Sequence, residues 1–153
     1  MIDEKVTPSF WLSEFLLSDT AVRKGLDNMP HAIQLANLKN ILMPNMQAVR
    51  DSLGCPVFVT SGYRSPEVNR AVGGAPTSDH VQGLAADFKA PEFGPPIKVA
   101  HYILEHMDLK FKQLIAEGQW VHISFPAMGE MAKREVLTAH FGDGPVSYTQ
   151  GLA

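Results

Sequence analysis

The chain has 153 residues, of which 45% are hydrophobic and 19% charged, a composition typical of one compact globular domain. Its net charge of -3 provides no basic field for nucleic acid, and no apolar run approaches the roughly 20 residues that cross a bilayer. The single cysteine, Cys55, excludes an intramolecular disulfide and is interpreted as an inert buried thiol rather than a nucleophile. We therefore expect a single domain over residues 1–153, monomeric, without a nucleic-acid partner or a membrane span.

Residues 1–54 are predicted to be mainly helical. Ser13 and Ser18 are candidate helix N-caps, followed by an apolar face that includes Val22. Apolar residues recur at helical spacing over residues 31–53, with a kink or division expected at Pro44 and an end at Gly54. The first five residues lack a positive segment followed by an apolar one, so no signal peptide is predicted.

Residues 55–153 are predicted to carry the sheet and the metal site. Ser65 is expected to cap a short helix that has Pro66 at its first position, and a hairpin is expected at Gly118 and Gln119. A further helix is predicted over residues 97–107. The predicted strands cover residues 56–61, 84–88, 111–116, 121–125 and 135–139. Helices first and a small antiparallel sheet later indicate the α+β class.

Histidine and carboxylate residues form a candidate zinc site. With one cysteine available, such a site must use imidazole and carboxylate ligands. His80 and Asp87 flank a passage from loop to strand, and Gly83 between them allows a sharp turn. Alternation along residues 120–124 places His122 on the face opposite to Val121 and Ile123. A single histidine is more commonly a structural residue than a ligand, and we expect His31, His101, His106 and His140 to be structural or exposed.

Four sequence elements together resemble a known family. Ser78-x-His80-x-x-Gly83-x-Ala85-x-Asp87, then Trp120-x-His122, with residues 61–65 upstream, is similar to the zinc signatures of the D-alanyl-D-alanine carboxypeptidase family of zinc peptidases. That family includes vancomycin-resistance dipeptidases and phage L-alanyl-D-glutamate endolysins, and it shares its fold with the Hedgehog signalling domain. The likeness covers about residues 57–124, and the helical N-terminal part resembles the phage and bacterial branch.

The resemblance implies a Hedgehog-like α+β fold and a zinc-dependent peptidase. Such an enzyme hydrolyses a bond next to a D-amino acid in peptidoglycan stem peptides, as a carboxypeptidase or an endolysin-type endopeptidase. His80, Asp87 and His122 are implied as ligands of one Zn²⁺ per chain, with a water in the fourth position whose pKa falls toward ~7.

A carboxylate must then take the proton of this water, and Glu117 is the candidate base. The alternative for Glu117 is a surface glutamate at a hairpin. Several relatives place a glutamate three residues before the second histidine, where this chain has Gln119. A neutral glutamine cannot act as a base, so the prediction is assigned to Glu117.

Substrate contacts are also implied by the resemblance. Arg64 resembles the family arginine that binds substrate and steadies the developing oxyanion, and its alternative is an ordinary surface salt bridge. Ser78 matches a serine that lines the substrate cleft, whereas Asp79 is expected to face solvent. Tyr63 is assigned either to packing or to the cleft rim.

Other peptidase chemistries lack support in the sequence, which contains neither His-Glu-x-x-His nor Ser-x-x-Lys. The main alternative is a noncatalytic, zinc-containing wall-binding or virion structural module of the same fold. Without a predicted signal peptide, we expect synthesis in the cytoplasm and action at the bacterial cell wall, with delivery by a phage or prophage.

Overall fold

The computed structural model describes residues 3–153, and Met1 and Ile2 lie outside the described part. The helices are α1 (Asp19–Lys24), α2 (Ala32–Asn37), α3 (Met43–Leu53), α4 (Pro66–Ala71) and α5 (Pro96–His106). The strands are β1 (Lys5–Thr7), β2 (Phe10–Trp11), β3 (Phe58–Ser61), β4 (Ala85–Lys89), β5 (Gln113–Ala116), β6 (Val121–Ser124), β7 (Glu135–His140) and β8 (Ser147–Gln150). Within residues 3–153, none of the helices combines the length and the apolar character that a bilayer crossing requires.

The N-terminal region differs from its prediction before α1. Strands β1 and β2 form a hairpin, and a 3-10 turn over Leu12–Phe15 follows. The predicted N-cap role of Ser13 is wrong, because its hydroxyl and its N–H both donate to the Asp3 carboxylate, which ties the turn to the chain start. Ser18 does cap α1, accepting a hydrogen bond from the Ala21 N–H at 3.1 Å. Val22 is 79% exposed and is not part of an apolar face.

The predicted division at Pro44 is confirmed by a π-helical turn. Helices α2 and α3 are joined through Leu38–Leu42, where the Met43 N–H donates to the Leu38 carbonyl five residues earlier. Because proline has no N–H to continue the α-helical ladder, a wider turn before Pro44 accommodates its ring. Gly54 ends α3 with a φ of 69° and an N–H bond to the Arg50 carbonyl, as the sequence predicts.

The α+β class is confirmed, but the main sheet is mixed rather than wholly antiparallel. Its six strands have the order β3-β4-β6-β5-β7-β8, and β5 and β7 run parallel. Strands β5 and β6 form the predicted hairpin, in which Gly118 adopts a φ of 75°. The segment over residues 125–134 then passes from the end of β6 to the start of β7 on the far side of β5. This crossing makes β7 parallel to β5, and β8 pairs with β7 as a strand that the sequence pattern did not predict.

Alternation along the strands gives the sheet two different faces. On one face, fully buried side chains join residues of α3 and α5 in a single hydrophobic cluster. These strand residues are Ala86, Phe88, Leu114, Val121 and Ile123. On the opposite face, which we call the cleft face, Asp87, His122, Ile115 and Leu137 border an open cleft. The core therefore fixes the register that presents polar groups to the cleft.

Candidate metal centre

A short turn before β4 positions His80. The Ser78 hydroxyl accepts a hydrogen bond from the His80 N–H at 3.2 Å and begins a 3-10 turn over Asp79–Gln82. Gly83 ends this turn with a φ of 72°, and a Cβ atom there would lie 2.7 Å from the Gln34 carbonyl oxygen. The predicted sharp turn is therefore present, and both its backbone angle and its close approach to α2 require glycine.

Strand pairing brings the other two candidate ligands together. Asp87 on β4 lies directly opposite His122 on β6. The Asp87 Oδ1 atom is 2.9 Å from His122 Nδ1 and 3.3 Å from His80 Nε2. One ligand atom from each residue lies within 4.8 Å of the others. Three residues that are far apart in the sequence thus converge on one point.

The donor set fits zinc. Two imidazoles and one carboxylate are ligands that catalytic zinc sites use. His80 Nδ1 lies 2.7 Å from the Gly62 carbonyl oxygen, and since that oxygen can only accept, Nδ1 carries the proton. The lone pair of Nε2 then faces Asp87 and His122, which is the tautomer that a metal requires. We therefore assign His80 Nε2, Asp87 Oδ1 and His122 Nδ1 as the atoms that would hold the ion.

The charge states of the site also suit a cation. Burial alone would raise the pKa of Asp87, but its close contacts with the His122 and His80 imidazoles hold that pKa well below its usual range. Burial lowers the pKa of His80 despite the neighbouring Asp87 carboxylate. An ionised carboxylate and a neutral imidazole are the forms that bind a metal, so no proton has to leave these two groups at neutral pH.

Glu117 borders the same cleft at the end of β5. Its N–H donates to the Trp120 carbonyl at 2.9 Å, which places it across the hairpin from Trp120. Burial raises the pKa of the Glu117 carboxyl, and the nearby Asp87 carboxylate raises it further. His122 and Arg64 act in the opposite direction and lower this pKa, but its net shift is upward. Gln119 is exposed and borders a separate hollow beside Val121. Of the two residues considered for the base, only Glu117 therefore reaches the cleft.

Arg64 is held by three side chains beside the centre. Its Nε donates to Ser61 Oγ at 3.1 Å, one Nη to Asn69 Oδ1 at 3.3 Å and the other to Asp87 Oδ2 at 3.3 Å. Burial lowers the pKa of Arg64, whereas Asp87 and Glu117 raise it, and a guanidinium remains charged at any physiological pH. Since the Arg64 side chain is 17% exposed, its ion pair with Asp87 is not an ordinary surface pair.

Asn69 is a residue of the site that the sequence analysis missed. It is buried on α4, accepts from Arg64 through Oδ1 and donates through Nδ2 to the Ala75 carbonyl at 2.8 Å. A Cβ atom at Gly74 would lie 2.0 Å from Asn69 Oδ1. Asn69 therefore links Arg64 to the loop that forms one wall of the cleft, a contact for which the sequence carries no recognisable motif.

The cleft has a volume of about 590 Å³ and includes Ser78, as expected. Asp79, which was expected to face solvent, lies in the cleft wall, where it pairs with Lys112, the residue before β5, at 3.0 Å. Tyr63 is 3% exposed and belongs to the core cluster rather than to the cleft lining. Its backbone N–H donates to the Phe15 carbonyl at 2.8 Å. The structure thus places Tyr63 in packing and not at the rim.

The remaining polar candidates lie away from the centre. His31, His106 and His140 are exposed, and His101 faces Glu105 on α5 at 3.4 Å. None of these four histidines belongs to the ligand group found among residues 3–153. Cys55 is partly buried and does not line the cleft.

The chain is similar to a known protein family over more than half of its length. A protein-family model described as Peptidase M15 matches residues 8–124. No curated protein matches the chain at a significant level. The family match contains the three candidate ligands, Arg64 and Glu117, and it ends at the last residue of β6. Strands β7 and β8 lie beyond it.

Proposed function

The chain belongs to the peptidase M15 family, zinc peptidases of the D-alanyl-D-alanine carboxypeptidase type that act on peptidoglycan, and on that premise we propose that it hydrolyses a peptide bond next to a D-amino acid in a wall stem peptide. The observation that carries the proposal is the convergence of His80, Asp87 and His122 in one cleft with Glu117 and Arg64. When bound there, zinc supplies Lewis-acid polarisation of a carbonyl and acidifies a water molecule.

In this proposal Glu117 moves the proton. A general base must lie in the reaction cleft and have a pKa close to the working pH. Glu117 borders the cleft, and burial raises its pKa from the ordinary glutamate value. Its carboxylate takes a proton from the attacking water and delivers it to the amine nitrogen that leaves. The turn through Gly118 holds the carboxylate in place, because the Glu117 N–H is bonded to the opposite strand end at Trp120.

Arg64 binds and orients the substrate. A guanidinium has five N–H donors, and three of them contact Ser61, Asn69 and Asp87. The other two are available to a substrate carboxylate or to a developing oxyanion. These fixed contacts also keep the guanidinium rigid, so that little side-chain entropy is lost when substrate binds.

Digestion of purified peptidoglycan tests the proposal. Zinc-loaded protein is expected to release soluble fragments, and mass spectrometry would identify the bond that is cut. Loss of a terminal alanine would indicate a carboxypeptidase, whereas a new amino terminus within the stem would indicate an endopeptidase. Glu117→Gln is the matched inactive variant. Wall binding by zinc-loaded wild type without any cleavage would contradict the proposal and favour the noncatalytic module.

The proposal also includes the site of action. We propose that the protein acts at the bacterial cell wall and that a phage or prophage delivers it there, through a holin or with the particle. Zymography of phage particles and of induced host lysates, with an antibody against this chain, would test that part separately.

A further inference from the structure

The cleft extends past the metal centre onto strands β7 and β8, which lie beyond the family match. Strand register places Asp87 opposite His122, His122 opposite Ile115, and Ile115 beside Leu137. Four strands thus contribute one continuous row of side chains to the cleft face. Ile115 and Leu137 line the cleft where the row leaves the ligands, so that its floor becomes apolar.

A second row runs beside the first and ends at Tyr148. Glu117 faces Trp120 across the hairpin, and its neighbour on β7 is Ala139, since Ala116 pairs with Thr138. Ala139 pairs in turn with Tyr148 on β8. Ala139 is buried between them, and the half-exposed Tyr148 ring lines the same cleft as Glu117.

The Tyr148 hydroxyl is available as a hydrogen-bond donor. Burial and the nearby carboxylates of Glu117 and Asp87 raise its pKa, which keeps the phenol protonated at neutral pH. Among the side-chain hydrogen bonds of residues 3–153, none uses this hydroxyl, whereas the Thr149 hydroxyl next to it pairs with His140 at 2.7 Å. Tyr148 therefore carries a free donor at the end of the cleft formed by β5, β7 and β8.

The two ends of the cleft differ in chemistry. Arg64, Ser78 and Asp79 make the end near β3 and β4 polar, whereas Ile115, Leu137 and the Tyr148 ring add an apolar surface at the other end, bordered by Gln113 and Glu117. If Arg64 holds a carboxylate on the leaving side of the scissile bond, the acyl side must lie toward β7 and β8. Strands lie about 4.8 Å apart and an extended chain advances about 3.3 Å per residue. The two strand spacings from His122 to Leu137 therefore match about three residues.

We propose that Ile115, Leu137 and Tyr148 form an acyl-side subsite that binds about three residues of the substrate peptide. In this subsite aliphatic side chains of the peptide lie on Ile115 and Leu137, and the Tyr148 hydroxyl donates a hydrogen bond to a peptide carbonyl. This inference rests on the proposed function and narrows it, because such a subsite selects peptides that extend well beyond a dipeptide. Tyr148 is then a specificity-determining residue.

Calorimetric binding to the zinc-loaded Glu117→Gln protein tests the subsite without requiring turnover. The probes are a synthetic stem pentapeptide ending in D-Ala-D-Ala and the free D-Ala-D-Ala dipeptide. In this background Tyr148→Phe is expected to weaken pentapeptide binding by roughly 3- to 10-fold, the range of one net hydrogen bond. Tyr148→Ala and Leu137→Ser should weaken it by about 10-fold or more, and dipeptide binding should not change.

Thr149→Val is the matched control, since Thr149 lies on the opposite face of β8, and it should bind the pentapeptide like the parent. Zinc content and circular dichroism of each variant would verify folding. Unchanged pentapeptide binding in Tyr148→Phe, Tyr148→Ala and Leu137→Ser overturns the subsite, as does failure of the parent to bind the pentapeptide. If wild type cleaves no wall but these variants still lose affinity, the subsite stands and the peptidase proposal fails.

Discussion

The two faces of strand β6 show how one stretch of chain serves stability and chemistry at once. Val121 and Ile123 are fully buried in the core, whereas His122 between them reaches the cleft and contacts Asp87. Val121 and Ile123 could be replaced by other apolar residues of similar volume, because the stability of the core depends mainly on side-chain volume and burial. His122 has no such freedom in the proposed site, since a metal-ligand role depends on one nitrogen lone pair. Adjacent residues are thus constrained by different physics.

Separate substitutions of His122 and Ile123 should distinguish the metal-binding role from the packing role. His122→Ala is expected to abolish zinc binding and lower activity at least about a thousand-fold, because several kcal/mol of charge stabilisation are lost. Ile123→Ala should instead leave zinc in the folded protein but lower the free energy of unfolding by about 2–5 kcal/mol, through the cavity it creates. Metal analysis and urea denaturation would measure both. Retention of one zinc by His122→Ala would contradict the assigned ligands.

The two polar residues of the β5–β6 turn, Glu117 and Gln119, test which side chain acts as the general base. Glu117→Gln should reduce activity by about 10²–10⁴-fold, the usual contribution of a general base, while zinc binding remains. Gln119→Ala should leave kcat/KM unchanged, because Gln119 borders a different hollow. Steady-state kinetics on soluble muropeptides would separate them. Equal losses in both variants would point to a damaged turn rather than to a base.

Two glycines with similar backbone angles test how the His80 turn is built. Gly54 and Gly83 have φ values of 69° and 72°, but a Cβ atom at Gly54 would meet nothing within 4 Å, whereas one at Gly83 would lie 2.7 Å from a backbone oxygen. Gly54→Ala should cost about 1–2 kcal/mol from the left-handed angle alone. Gly83→Ala should cost at least ~1 kcal/mol more from the forced contact and should weaken zinc binding. Equal destabilisation would show that the turn can shift without strain.

The smallest expected effect is a pH dependence of the metal-free protein. Burial lowers the pKa of His80 in the folded state, so the unfolded chain takes up the proton first as the pH falls below about 6.5. The free energy of unfolding should therefore decrease between pH 7 and pH 5, by at most about 1.4 kcal/mol per pH unit for this one proton. The pKa of Asp87 is also lowered in the folded state, so the free energy of unfolding should decrease further as the pH falls below about 4. Urea titrations in chelator should show a flatter slope for His80→Gln, and an identical slope would remove His80 as the cause.

The parts that could be predicted from the sequence are those where local chemistry decides the structure. Ser65 accepts from the Val68 N–H and caps α4, and Pro44 follows a widened helical turn. The spacing of His80, Gly83 and Asp87 similarly matches an observed turn and strand. In each case, a short segment contains both the cause and its effect.

The parts that escaped prediction depend on partners far apart in the chain. Asn69 orients Arg64 through a contact that forms only when α4 packs beside the sheet. Asp79 is held in the cleft wall by a hydrogen bond from Lys112, which lies 33 positions later in the chain. Strand β8 is exposed along its length, so it carries little of the apolar signal that identifies a strand. The pairing of Tyr148 with Ala139, and with it the far end of the cleft, follows from tertiary register rather than from sequence pattern.

The central claim, that His80, Asp87 and His122 hold a zinc ion which makes this cleft a peptidase, is tested most directly by measuring zinc stoichiometry and muropeptide cleavage on the same samples. We predict one zinc per chain with cleavage for wild type, one zinc without cleavage for Glu117→Gln, and neither for His122→Ala. Zinc-loaded wild type that cleaves no muropeptide, or His122→Ala that retains both metal and activity, would contradict the account.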